Sequence, residues 1–98
     1  MPLASDYVYA NSTSGSSVPA SATTVTLLAA NDSRNSFWIF NDSSSELYVK
    51  VGASASLTNF SFKMLSGSFE KIGTPCPRDQ ITGIWVVAVG SAKVTSID

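Results

Sequence analysis

The sequence contains no histidine, and its only cysteine, Cys76, stands between Pro75 and Pro77. A general base that titrates near neutral pH is most often histidine, and most activated nucleophiles depend on a neighbouring base. In the loop around Cys76, only Arg78 offers a charge that could lower the pKa of the thiol, so we interpret Cys76 as an inert loop residue. The sequence therefore predicts no catalytic residue and no enzyme activity.

Metal ligands and disulfides are equally scarce. Without histidine, and without the closely spaced aspartates that calcium sites use, the sequence predicts no metal site and no cofactor. A single cysteine cannot form an internal disulfide, so nothing points to an oxidising compartment. Most of the carboxylates fall in predicted turns or on strand faces, and their spacing gives no support for a glycosidase pair.

Charge is also low. Charged residues make up 13% of the chain, which is about half of the usual share. The six cations are scattered and form no basic stripe, so we expect no nucleic-acid partner. No apolar run approaches the length of a membrane span, and the first nine residues lack the regions of a signal peptide, so we expect no membrane contact and synthesis in the cytoplasm.

What the chain does contain is hydroxyl side chains. Among its 98 residues are eighteen serines and eight threonines, while hydrophobic residues make up 44%. A surface of hydroxyls is less strongly hydrated than a surface of charges, and it tolerates burial in an interface. A chain of this length supports one small core and would gain from oligomerisation.

Two segments of different character are predicted, residues 1–21 and residues 22–98. Residues 11–17, with the sequence NSTSGSS, are typical of a flexible linker. They are preceded by the apolar triplet Tyr7-Val8-Tyr9. Two interpretations stay open: this triplet is a strand that folds back on its own domain, or it is an arm that docks on a neighbour. On the second interpretation Tyr7, Val8 and Tyr9 are the partner-binding residues.

Residues 22–98 are predicted to be all-β. β-branched and alternating apolar residues predict strands at residues 23–28, 36–40, 46–51, 60–64, 69–72, 81–89 and 92–97. We expect residues 36–40 and 46–51 to form a hairpin, the side chains of Phe60, Phe62 and Met64 to point inward, and residues 81–89 to form a central strand. Helix content should be minimal. Seven or eight short strands predict an antiparallel β-sandwich or a jelly-roll-like barrel with a flexible N-terminal arm.

The two tryptophans have two possible roles. Trp38 and Trp85 could stack on a sugar if they are exposed, but both lie inside apolar strands, which favours core packing. Phe37 and Phe40 flank Trp38 on alternate faces, so either the strand is covered on both sides or one face meets a partner subunit.

One stretch, residues 27–52, resembles a pattern found in small structural proteins of tailed bacteriophages. In this stretch LLAAN is followed by a turn with Arg34, an apolar strand that ends in Asn-Asp-Ser, and the sequence LYVKVG. Gly83-Ile84-Trp85 and Ala92-Lys93-Val94-Thr95 are also similar to the ends of such chains. The resemblance covers roughly residues 23–98, and no catalytic residue belongs to it.

The resemblance implies a β-sandwich of the virion. We expect a capsid decoration or cement protein that binds the major capsid protein as a homotrimer on the capsid surface. The alternative is a tail-fibre or receptor-facing domain that binds carbohydrate of the host surface through Trp38 or Trp85.

Overall fold

A computed structural model describes residues 13–98 of the chain as strands and loops without a helix. The eight strands are β1 (Thr13–Pro19), β2 (Val25–Leu28), β3 (Ser36–Asp42), β4 (Leu47–Val51), β5 (Phe62–Met64), β6 (Phe69–Ile72), β7 (Ile81–Trp85) and β8 (Ser91–Ile97). They form two antiparallel sheets of four strands, ordered β1-β8-β3-β6 and β2-β7-β4-β5. The prediction of an all-β sandwich is confirmed.

The strand pairing follows a simple rule. The first strand pairs with the last, β2 with β7, β3 with β6 and β4 with β5, all antiparallel. The chain thus forms one long ribbon of paired strands, and the further pairs β3–β8 and β4–β7 roll this ribbon into two sheets. Eight strands in this arrangement form a jelly roll. Only the connection from β4 to β5 stays within a sheet, while every other connection between described strands crosses from one sheet to the other.

The loops gather at the two ends of the sandwich. What we call the apical end carries the loops at residues 20–24, 43–46, 65–68 and 86–90. The opposite, basal end carries the loops at residues 29–35, 52–61 and 73–80. Connections cross between the sheets at both ends. The side chains that bind these loops to one another therefore determine how each end of the sandwich is held together.

The core lies between the sheets and is made of apolar side chains from both. Its buried members are Leu27, Phe37, Ile39, Leu47, Val49, Met64, Ile81, Trp85, Ala92 and Val94. A Cβ atom at Gly83 would lie 2.9 Å from Leu27 Cδ1 and 3.0 Å from Leu47 Cδ1. The glycine therefore allows these two leucines to pack directly against the backbone of a central strand.

Two predictions of connectivity are wrong. Residues 36–40 and 46–51 do not form a hairpin, because β3 and β4 belong to different sheets. The short loop between them passes from one sheet to the other at the apical end. The linker prediction fails for residues 13–17, which form most of β1 and pair with β8 from Thr13↔Ile97 to Ser17↔Lys93. This strand is held by main-chain bonds while most of its side chains stay exposed.

Two predictions about side chains also need correction. The strand predicted at residues 81–89 is central, but it ends at Trp85, since the amide of Val87 binds the Ser45 hydroxyl instead of a neighbouring strand. Phe60 does not point into the core. It precedes β5, is 40% exposed, and packs edge-on against the Tyr48 ring with 4.7 Å between the ring centroids.

Gly90 offers a test of the apical packing. It has a φ of +84°, and an added Cβ would lie 2.5 Å from the carbonyl oxygen of Asp42 and 2.7 Å from Ser43 Cα. We expect Gly90→Ala to lower the free energy of unfolding by about 3 kcal/mol or more, because the backbone itself must move. The measurement is urea unfolding followed by tryptophan fluorescence.

Gly67 is the matched control, since it has a φ of +71° but nothing within 4 Å of an added Cβ. Gly67→Ala should lower the free energy of unfolding by only about 1 kcal/mol, the strain of a positive φ alone. Equal losses in the two variants would contradict the close approach at Gly90.

Candidate functional site

A buried amide joins two loops and the end of β7 at the apical end. Asn41, the last but one residue of β3, is 0% exposed. Its Nδ2 donates to the carbonyl oxygens of Ser45 at 2.9 Å, Met64 at 3.3 Å and Leu65 at 3.1 Å. These carbonyls belong to the β3–β4 connection, to the end of β5 and to the loop after it. One side chain of the first sheet thus satisfies backbone acceptors of the second sheet and of two loops.

The oxygen of the same amide reaches the end of β7. Asn41 Oδ1 accepts hydrogen bonds from Trp85 Nε1 at 3.1 Å and from Ser43 Oγ at 2.8 Å. Trp85 is 1% exposed, so its indole is part of the core and offers no face to a ligand. The core interpretation holds for Trp85, and the carbohydrate-binding alternative loses this residue.

Further bonds hold the apical loops to one another. The amide of Gly67 donates to the Asn41 carbonyl at 2.9 Å, and Ser66 Oγ donates to the Ser43 carbonyl at 2.6 Å. The amide of Val87 donates to Ser45 Oγ at 2.9 Å. The loops at residues 43–46, 65–68 and 86–90 are therefore cross-linked and not independently mobile.

These fixed loops expose apolar side chains. Leu65, Val86, Val87 and Val89, which we call the apical apolar residues, are 58%, 47%, 56% and 42% exposed. Large exposed apolar patches on a protein surface mark interaction sites. Because the backbone beneath them is already ordered, contact with a partner would lose little conformational entropy. The apical end is thus suited to contact with another protein.

The outer face of the first sheet carries a second apolar group. Trp38 and Phe40 of β3 are half-buried, and Phe69 of β6, which pairs with Phe40, is 57% exposed. Lys71 Nζ lies 5.8 Å from the centroid of the Trp38 ring, a cation–π distance. Trp38 is therefore not a core residue. It shares no platform with Trp85, which belongs to the other sheet.

A lysine ties three strands together beside this aromatic face. Lys93 Nζ of β8 lies 3.9 Å from Asp42 Oδ2 of β3 and donates to Ser17 Oγ of β1 at 2.8 Å. The ion pair is exposed on both sides, so it adds little stability. Its position nevertheless links the edge strand β1 to the centre of the sheet.

Cys76 lies in the basal loop at residues 73–80 and is half-buried. Burial raises the pKa of its thiol, and the guanidinium groups of Arg34 and Arg78 oppose that rise by lowering the pKa. Arg34 lies far away in the sequence, so its charge could not be anticipated from the loop. The raised pKa favours the thiol over the nucleophilic thiolate.

The predicted arm residues Tyr7, Val8 and Tyr9 lie outside the described residues. The chain enters the described fold at Thr13, which pairs with Ile97 at the basal end. Among residues 13–98 there is no helix that is long and apolar enough to cross a membrane.

Two residues that organise the site were missed in the sequence. The sequence predicts a loop between residues 40 and 46, yet Asn41 is buried at the end of β3 and forms the apical junction. An amide directly after a strongly apolar strand is the feature that could have indicated this role. The sequence places Arg34 in a turn and shows it only as one of six scattered cations, yet its side chain is buried, with 1% exposed. Nothing in the local sequence distinguishes it from an exposed arginine.

Comparison of the chain with family models, with curated proteins and with solved structures found no match. The class of protein is therefore defined by the fold and its surfaces: an eight-stranded jelly-roll sandwich with exposed apolar residues on cross-linked apical loops.

Asn41→Ala tests the apical junction. The substitution removes the acceptor of the buried indole N–H of Trp85, and it removes one donor each from the carbonyls of Met64 and Ser45. We expect the free energy of unfolding to fall by about 3 kcal/mol or more, since each unsatisfied buried group costs about 1–3 kcal/mol. Urea unfolding measures the loss. The exposed Asn59 is the control, and Asn59→Ala should change stability by less than about 0.5 kcal/mol. Similar values for the two variants would refute the role of the amide.

Proposed function

We propose that this chain is a structural protein of a tailed-phage virion, a capsid decoration protein that binds the assembled shell of the major capsid protein. Three observations support the proposal: the resemblance of residues 27–52 to phage structural proteins, the jelly-roll order of the strands, and the low charge of the surface. Jelly rolls are common in viral capsid and lectin domains, which is an argument by fold analogy only.

The observation that carries the proposal is the rigid apolar surface at the apical end. Leu65, Val86, Val87 and Val89 stand on loops that Asn41 and Ser43 cross-link. A protein whose task is to adhere needs such a preorganised contact surface and no reactive group. The apical apolar residues are therefore the contact that we assign to a capsid subunit.

A decoration protein that strengthens a shell must bridge neighbouring subunits, which requires two separate contacts. The apical apolar residues supply one contact at one end of the sandwich. The N-terminal arm with Tyr7, Val8 and Tyr9 supplies the second, since the chain leaves β1 at Thr13 at the basal end. A homotrimer would present three copies of each contact.

The stabilisation follows from mass action. A ligand that binds only the assembled shell stabilises it by about 2.7 kcal/mol per site when its free concentration is one hundred times the dissociation constant. Many weak sites on one particle therefore add up to substantial resistance against bursting. This mechanism requires no chemical step.

Binding to isolated capsids tests the proposal. We expect Val87→Asp to weaken co-sedimentation with shells at least about tenfold, because a carboxylate would have to lose its hydration in an apolar contact. Deletion of residues 1–12 should weaken binding as well. The deletion must stop there, because residues 13–19 form β1.

Leu57→Asp is the matched control, since Leu57 is 47% exposed on a basal loop. It should bind shells as the unaltered chain does. Unchanged binding of both Val87→Asp and the deletion variant would overturn the proposal. A copy number of a few dozen per virion, instead of hundreds, would point to a tail protein.

A second candidate function is supported by Trp38. Its half-buried ring lies beside Phe40 and Phe69 on the outer face of the first sheet, where a sugar ring could stack. Lys71 above the ring would have to move or to contact the sugar. In this case Trp38→Ala, and not Val87→Asp, should abolish binding to polysaccharide from the host surface, measured by isothermal calorimetry. Equal binding by Trp38→Ala and the unaltered chain would exclude this candidate.

A further inference from the structure

The basal end contains a pocket that the proposed function does not use. The pocket has a volume of about 330 Å³ and is lined by Arg34, Asn35, Thr74, Pro75, Cys76 and Arg78. Two of these six residues are arginines and none is acidic. As far as residues 13–98 line it, the pocket therefore combines two positive charges with no negative charge.

Arg34 is fixed in the wall of this pocket. Its Nη1 donates to the carbonyl oxygens of Pro77 at 2.7 Å and Asp79 at 3.1 Å, and its Nη2 donates to that of Ala29 at 2.6 Å. These bonds join the two basal loops at residues 29–35 and 73–80. They also hold the guanidinium plane in one orientation, with Phe37 beneath it at 5.6 Å from the ring centroid.

The guanidinium is not fully hydrogen-bonded. Arg34 is 1% exposed, and among residues 13–98 its buried Nε finds no hydrogen-bond partner. An arginine is always charged, and a buried donor without an acceptor costs about 1–3 kcal/mol. The carbonyl oxygens of Pro77 and Asp79 satisfy both donors of Nη1, and that of Ala29 satisfies one donor of Nη2. Being neutral, these oxygens do not balance the charge.

Arg78 brings a second charge to the same place. Its Nε donates to the Arg34 carbonyl at 2.9 Å, which holds its side chain against the loop of Arg34. Both guanidinium groups act on the Cys76 thiol by lowering its pKa, so both lie within electrostatic reach of the sulfur atom. Two cations that converge on one pocket repel each other, and an anion between them would relieve this repulsion.

Asp79, the acidic residue of the same loop, does not place its carboxylate between the two guanidinium groups in the pocket lining. Its Oδ1 accepts the amide of Gln80 at 2.7 Å, and its Oδ2 lies 3.9 Å from the position of a Cβ at Gly52. The carboxylate thus faces the end of β4. It is not among the residues that line the pocket.

We propose that the basal pocket is a binding site for a carboxylate group, held between the guanidinium groups of Arg34 and Arg78. A planar carboxylate matches the fork of donors that guanidinium groups present. The site lies at the basal end, away from the apical apolar residues, and it does not depend on the proposed function.

Cys76 provides the test, since it is the only thiol of the chain and lies in the pocket wall. Acetate should slow the alkylation of Cys76 by iodoacetamide about tenfold at about ten times its dissociation constant, because only the free fraction reacts. Chloride replaces acetate so that ionic strength stays constant. Binding both blocks access to the sulfur and weakens the effect of the two cations on the pKa of the thiol, so the two effects act in the same direction.

Arg78→Gln should lose this saturable protection. Lys93→Gln is the matched control. It removes the same charge from β8 near the apical end, away from the pocket, so this variant should keep the protection. No protection in the unaltered chain, or equal protection in both variants, would overturn the proposal. Protection by inorganic phosphate but not by acetate would overturn the assignment to a carboxylate.

Amide chemical shifts of residues 74–78, titrated with acetate in the unaltered chain, give a second readout that needs no variant. Saturable shifts support the site, and their absence refutes it.

Discussion

The buried amide of Asn41 is the interaction on which the apical half of this fold depends. A jelly roll sends most of its connections from one sheet to the other, and these connections carry backbone carbonyls into a region without water. One amide meets carbonyls of the β3–β4 connection and of β5, and its oxygen meets the indole of Trp85 in β7. The apolar core fills the space between the sheets, but it cannot satisfy these groups. The amide therefore fixes where the loops lie, and the loops in turn fix the exposed valines.

The basal end solves the same problem with a charge. Arg34 binds carbonyls of two loops, as Asn41 does, but a guanidinium also brings a positive charge that neutral carbonyls leave unbalanced. The apical junction is complete within the chain, since both atoms of its amide have partners. The basal junction retains an unused donor. This difference explains why one end is suited to apolar contact and the other to a polar ligand.

The sequence predicted the strands well where side chains report on burial. In β4 the apolar residues Leu47, Val49 and Val51 alternate with half-buried Tyr48 and Lys50, which predicts one apolar face toward the core. Leu47 and Val49 are fully buried, whereas Val51 at the end of the strand is 36% exposed. Pairing was harder, because the loop after β3 has the length and composition of a hairpin turn, whereas the choice of sheet depends on distant strands. β1 was not predicted, because main-chain hydrogen bonds to β8 hold it and most of its side chains are exposed. Main-chain bonds do not depend on residue type, so the composition of the segment does not indicate them. Asn41 and Arg34 were missed for a related reason: their burial is a property of assembled loops.

The pairing of β1 with β8 has a consequence for the order of folding. The strand made earliest among the described residues finds its hydrogen-bonding partner only when the last strand is complete. During synthesis on the ribosome, β3 likewise lacks its neighbour β8 until residues 91–97 have been made. Because both pairs join strands that are far apart in the sequence, we expect the first sheet to form slowly and only after β8 is available.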